Sequence, residues 1–287
     1  VYDVVEEADT YTTGNTETLT YSRAKYRLTV RIDNTSTGGL YVESVSCERL
    51  LDDSGDAPES PEKVDPTPDA KGMKFINTYI KQGTGDPSAP GESAAISKTV
   101  TGTGADRTKY FSYQLNVTKP ATVSDSVTYK AYVMEGSTLV SSIDENLGAG
   151  ASKGTGDHGD YIEVPAGSPV NINLKHGQTL LLADIHVGAK YTVNETGDPD
   201  YTPSVAIMTN GTASSDSAGE GESLSTGDAR VIGDSGANTA DYSNAKIQIA
   251  LTGVLINNLP FIMVLVLAGG AFAAYIVVKS RKYKVNR

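Results

Sequence analysis

The sequence has no tryptophan, one cysteine, four phenylalanines and three histidines in 287 residues. A lone cysteine, Cys47, can neither close an intramolecular disulfide nor supply a paired-cysteine zinc or redox site. His158, His176 and His186 stand singly, without HExxH or paired spacing, so no metal site is expected. Basic residues are in deficit: 24 Lys and Arg face 35 Asp and Glu, a net charge of −11. That balance argues against a nucleic-acid partner, because phosphate contacts need clustered cations. What is abundant is tyrosine (16) and glycine (29), which with the many Thr and Val residues indicates a turn-rich β protein. The length fits one large domain or two modest ones.

The charge is segregated. Lys279 to Arg287 hold five basic residues and no acid, and no acid follows Asp241. Just before this tail, Leu259–Val278 reads LPFIMVLVLAGGAFAAYIVV, twenty residues without a charge. As a helix it would span about 30 Å, the thickness of a hydrocarbon core. A transmembrane helix over 254–278 and a cytoplasmic tail over 279–287 are therefore expected, with the acidic body outside by the positive-inside rule. The chain opens VYDVVEEADT, which reads as the inside of a strand rather than a signal peptide. An exported body needs an export signal, so a fragment or processed form is expected.

The body reads as two β modules, over 1–80 and 94–250, joined by a linker over 81–93. Tyr26, Leu28, Val30 and Ile32 alternate with Arg27, Thr29 and Arg31, as in a half-buried strand. Leu40–Leu50 and Lys74–Ile80 look like further strands. Between them the acidic stretch Leu51–Ala70, with Pro58, Pro61, Pro66 and Pro68, reads as an extended loop. In the second module strands are expected at Ala95–Val100, Tyr110–Thr118, Val127–Val133, Tyr161–Val164, Val170–Leu174, Thr179–Ala183, Tyr191–Glu195 and Tyr242–Ala250. The Gly/Ser-rich Gly211–Ala240 reads as a mobile surface loop. Short strands at this spacing indicate antiparallel sandwiches rather than a βαβ fold.

A pattern recurs across both modules. Tyr2-Asp3-Val4-Val5-Glu6 and Tyr191-Thr192-Val193-Asn194-Glu195 share Y-x-V-x-E, and Phe75-Ile76-Asn77 and Tyr242-Ser243-Asn244 share aromatic-x-Asn. Alternation puts Glu on the face of Tyr and Val, and Asn on the face of the aromatic residue. Lys98 shares a face with Ile96 and Val100 in the same way. A buried Lys, Glu and Asn can react together: burial lowers the lysine pKa and raises that of the carboxyl. Neutral Lys98 then attacks the Asn244 carboxamide while Glu195 shuttles protons, and ammonia leaves. Spacing alone favours the plainer reading of a solvated Lys98, a rim Glu195 and an Asn244 in a turn.

The strings SKTVTGTGADRTKYFSYQLNV, LKHGQTLLLADIHVGAKYTVNE and FINTY resemble the isopeptide-containing (Cna B-like, pilin-type) domains of Gram-positive pilins and adhesins. The resemblance implies tandem immunoglobulin-like, Cna B-like antiparallel β-sandwiches. It assigns Lys98 and Asn244 as the cross-linked pair and Glu195 as the catalytic carboxylate. In the first module it assigns Glu6 and Asn77, whose lysine would lie before Val1. It also matches Ile249-Ala250-Leu251-Thr252-Gly253 to a sortase signal of the form Leu-Pro-x-Thr-Gly, with Ile249 and Ala250 departing from it. The function implied is a structural surface subunit, a stalk or pilin-like protein without cofactor or enzyme activity. Its partners would be the membrane, a sortase, peptidoglycan or other pilin subunits. The competing function is an adhesin whose modules bind a host or matrix ligand. An immunoglobulin-type receptor lacks support, since the core Trp and disulfide pair are missing. Gly233-Asp234-Ser235-Gly236 resembles a serine-protease motif but has no matching histidine motif or disulfide framework.

Overall fold

The computed structural model describes residues 1–66, 72–83, 85–89, 93–246, 261–272, 274–276 and 279. The body is all-β. The first group of strands is β1 (Tyr2–Val5), β2 (Glu17–Thr20), β3 (Lys25–Asn34), β4 (Leu40–Leu51), β5 (Glu62–Val64) and β6 (Thr78–Lys81). They form a sheet in the order β1-β3-β4-β5 and a separate β2-β6 pair.

The second group opens with β7 (Ala94–Thr101), β8 (Phe111–Thr118), β9 (Thr128–Glu135), β10 (Thr138–Leu139), β11 (Lys153–Gly156), β12 (Gly159–Pro165) and β13 (Val170–Leu174). It continues with β14 (Gln178–Ala183), β15 (Lys190–Glu195), β16 (Tyr201–Thr209), β17 (Thr212–Ser217), β18 (Leu224–Ser225), β19 (Arg230–Val231) and β20 (Asn238–Lys246). One sheet runs β11-β12-β9-β14-β7-β20-β16-β17 with β10 on β9; the other runs β13-β8-β15-β18 with β19 on β15. All pairings are antiparallel except β7 with β20, the first strand of the group and the last.

The two sheets share one core. Ile96, Val100 and Ala240 from the first meet Leu115, Ile172 and Val193 from the second, all fully buried. Edge-to-face ring pairs, Phe111 on Tyr201 and Tyr113 on Tyr242, each at 5.2 Å, bridge the layers. Such pairs add about 0.5–1.5 kcal/mol beyond their burial. Where β7 ends, Gly102 takes φ +103°, and a Cβ there would lie 2.5 Å from the Lys246 carbonyl oxygen. Gly102→Ala should therefore lower stability by about 1–3 kcal/mol, readable as a shift of the denaturant midpoint.

Three sequence expectations change. The alternation in β3 shows in burial only at its start: Tyr26 is 3% exposed, Arg27 exposed and Leu28 half-buried, whereas Arg31 and Ile32 are both exposed, Ile32 at 60%. Residues 74–77 are not strand; only Thr78–Lys81 pairs. The span 211–240 is not a featureless loop, since β17, β18 and β19 lie in it. The start of the expected linker is also bound to the second group. The Val187 N–H donates to the Lys81 carbonyl and the Gly83 N–H to the Ile185 carbonyl, both at 2.8 Å.

At the C-terminal end residues 261–272, 274–276 and 279 are helical, and their side chains are exposed. Among the described residues no helix is long and apolar enough to cross a membrane, so the expected single span is not found there.

Candidate functional site

Alternation in three strands builds the site. In β7, Ala94, Ile96, Lys98 and Val100 point inward and are buried. In β15 the inward set is Tyr191, Val193 and Glu195; in β20 it is Asn238, Ala240, Tyr242 and Asn244. Lys98 and Asn244 sit on adjacent parallel strands, Asn244 opposite Val100. Glu195 reaches them from the facing sheet. β7 and β15 each place one polar group, and β20 places two (Asn238 and Asn244), where the pattern would otherwise place a core hydrophobe. Lys98 and Glu195 are each 1% exposed and Asn244 is 2%.

The three side chains meet. Lys98 Nζ donates to Glu195 Oε1 in a buried ion pair. Asn244 Nδ2 donates to the same oxygen at 2.8 Å, and Tyr113 OH does so at 3.3 Å. Phe111 lies under the lysine nitrogen, 4.1 Å from ring centroid to Nζ. Tyr242 OH donates to the Val193 carbonyl at 2.9 Å, holding β20 over β15.

Burial controls the protonation. It pulls Lys98 down to about 8, against the attraction of Glu195. It pushes the Glu195 carboxyl up, against Lys98 and the bonds from Asn244 and Tyr113. Both shifts favour the neutral forms, an amine with a free lone pair and a protonated acid. Two oxygens of the cluster have nothing to bond. Glu195 Oε2 and Asn244 Oδ1 are buried and have no hydrogen-bond partner, each a cost of about 1–3 kcal/mol. A protonated Glu195 has an O–H to give, and the Asn244 oxygen is an acceptor without a donor. A primary amine, a carboxamide and a carboxyl group thus share one enclosure.

The sequence pattern missed the ring residues. Phe111 and Tyr113, two apart on the inward face of β8, read as core alone, yet both touch Lys98 or Glu195.

The first group brings Glu6 and Asn77 together but encloses them less. Asn77 Nδ2 donates to Glu6 Oε1 at 2.6 Å, and the Ser22 N–H donates to Asn77 Oδ1 at 2.8 Å. Glu6 Oε2 is buried without a partner. The pair opens into a cavity of about 450 Å³ walled by Tyr11, Tyr21 and Tyr79, with no lysine among its lining residues.

Other sequence candidates fall elsewhere. Ile249, Ala250, Leu251, Thr252 and Gly253 lie outside the described residues. His176 Nδ1 accepts the Val100 N–H at 2.9 Å, and His186 is held between Tyr129 and Gln82. In the protease-like string, Asp234 pairs with Lys81 at 3.0 Å and the Ser235 N–H donates to Asn210.

A family described as a domain of unknown function (DUF7601) matches residues 93–230. No curated protein matches the chain. Among solved structures, the major pilin of Streptococcus pyogenes is similar at 16% identity, covering 86% of this chain and 69% of its own, with a TM-score of 0.41. The T-13 major pilin of the same organism gives 17% identity, 86% and 66% coverage, and a TM-score of 0.38. The pilus-presented adhesin Cpa gives 22% identity and a TM-score of 0.32, and the chain spans 27% of its length.

Proposed function

We propose that this chain is a structural cell-surface subunit of pilin type, not an enzyme for external substrates, whose second module is closed by an amide between Lys98 and Asn244. The observation that carries the reading is the buried Lys98–Glu195–Asn244 cluster with two unpartnered oxygens. The neutral Lys98 Nζ attacks Asn244 Cγ, and protonated Glu195 polarises the carboxamide oxygen. Glu195 then carries a proton from the attacking nitrogen to the leaving amide nitrogen, and ammonia departs as the carbonyl reforms. No external reactant is consumed, and Glu195 ends as it began.

The bond joins the strand that follows the linker to the strand that ends the module. Tension entering at residue 94 passes through Lys98 to Asn244 and leaves at 246, so residues 99–243 carry none of it. That is the property a load-bearing surface stalk needs, and the many tyrosines and absent disulfides are compatible with it. The exposed apolar residues of the helical segment 261–272 support attachment at a membrane.

Peptide mapping tests the reading. After denaturation and proteolysis, Lys98 and Asn244 should be recovered in one branched peptide. Recovery of both in separate linear peptides from folded protein would contradict it.

A further inference from the structure

The outer face of the sheet β13-β8-β15-β18 carries a chemistry of its own. The alternation that sends Phe111, Tyr113 and Leu115 of β8 inward sends Ser112 and Gln114 outward. On β13 the outward residues are Asn171 and Asn173, and on β15 they include Asn194. The pairing sets Asn171 opposite Gln114 and Gln114 opposite Asn194, a row of three carboxamides at the strand spacing of about 4.8 Å. Asn173 and Ser112 are the next pair on the same face. None of these is charged, in a chain where 21% of residues are. The outer face of the other sheet, by contrast, sets Lys130 opposite Glu163.

A wall stands beside this row. The segment 147–149 is held against β13 by the Gly148 N–H, which donates to the Asn171 carbonyl at 3.0 Å. Asn171 Nδ2 donates to the Ala149 carbonyl at 2.9 Å and Asn173 Nδ2 to the Leu147 carbonyl at 3.2 Å. So close an approach needs a glycine, since a Cβ at Gly148 would lie 2.6 Å from the Asn171 carbonyl carbon. Wall and sheet enclose a groove of about 440 Å³, within the range of about 300–1,000 Å³ usual for ligand sites. Asn171 and Asn173 are committed to the wall. Gln114, Asn194 and Thr196 line the groove and make no side-chain hydrogen bond among the described residues.

The chemistry of the groove narrows its ligand. With no charged lining residue, it has nothing to hold a phosphate, carboxylate or ammonium group. Leu147 and Ala149 are its only aliphatic side chains, too little surface for an apolar ligand. An extended peptide would need a free strand edge, and Leu147 already bridges to Ile172 on the edge of β13. Each free carboxamide offers two N–H donors and an oxygen acceptor. Their match is a run of neighbouring hydroxyls, which also donate and accept, on a ring whose C–H face can lie against Leu147 and Ala149.

We propose that this groove binds a neutral oligosaccharide, with Gln114, Asn194 and Thr196 bonding its hydroxyls. Gln114 and Asn194 point away from the Lys98–Glu195–Asn244 enclosure, on the far face of the same sheet. The site therefore stands whether or not Lys98 and Asn244 are joined, and it adds ligand recognition to a structural subunit.

The test is an array of immobilised neutral, sialylated and sulfated oligosaccharides, probed with the full chain. Neutral members should be retained, with affinity about tenfold lower in Gln114→Ala and in Asn194→Ala. Gln114→Glu should weaken binding as much, because it keeps the shape but loses the amide donors. Ser215→Ala, on the exposed strand β17, should bind as the wild type does. Intact mass and melting temperature should be the same in all four variants, which separates a lost site from a lost fold or cross-link. Retention of no neutral oligosaccharide overturns the proposal. So does retention of sialylated or sulfated members alone, or binding that survives both alanine substitutions.

Discussion

Glu195→Ala should leave Lys98 and Asn244 unlinked and drop the melting temperature of the second module by about 10–20 °C. Closing the loop between Lys98 and Asn244 restricts the unfolded chain by about 5 kcal/mol in chain-entropy terms. For a domain of this size each kcal/mol shifts the midpoint by about 2–4 °C. The substitution also strands Lys98, which is 1% exposed, without its carboxylate. Lys98→Met with Asn244→Leu separates the two effects, since it removes the bond without leaving a buried charge. Calorimetry of the three proteins should place both variants far below the wild type. A wild type that melts with the double variant would show that no covalent bond contributes.

Under force the contrast should be larger. Strands β7 and β20 run parallel and adjacent, so pulling on residues 94 and 246 shears them from opposite ends. Without a bond, rupture frees the whole module, and each released residue adds about 3.4 Å of contour. With the bond, residues 99–243 stay out of the load path and the module shows no unfolding step. Single-molecule stretching of the full chain should give no extension from the second module in the wild type and a full-length step in Glu195→Ala. A full-length step in both would remove the mechanical role.

Much of the second module was legible because its strands obey a period of two. The alternation that put Lys98 with Ile96 and Val100, and Glu195 with Tyr191 and Val193, holds in full, since both faces of those strands have a fixed environment. The first group was less legible because burial there does not follow the alternation: along β3 Tyr26 is buried and Arg27 exposed, but Arg31 and Ile32 are both exposed. Residues 74–77 look like a strand in sequence, but side chains take the Lys74 N–H and carbonyl and the Ile76 N–H. Tyr26 OH donates to the Lys74 carbonyl at 2.7 Å and accepts the Lys74 N–H at 3.1 Å, and Asp53 accepts the Ile76 N–H at 2.8 Å. Ladder pairing begins only at Thr78.

The stretch 211–240 carried a readable signal that its composition masked. Asn210 and Gly211 take φ +48° and +80° between Thr209 and Thr212, which pair across the turn. Asn-Gly is the strongest short hairpin signal, and it makes β16 and β17 one ribbon. Nothing in spacing alone decided whether Lys98, Glu195 and Asn244 were solvated or enclosed. That needed the facing sheet, which supplies Glu195 along with Phe111 and Tyr113.

The central claim is a covalent bond formed without any other reactant, and the intact mass of the purified, denatured chain tests it most directly. The expected value is the sequence mass less one ammonia, returning to the full sequence mass in Glu195→Ala and in Asn244→Ala. A folded wild-type chain at its full sequence mass would contradict the claim.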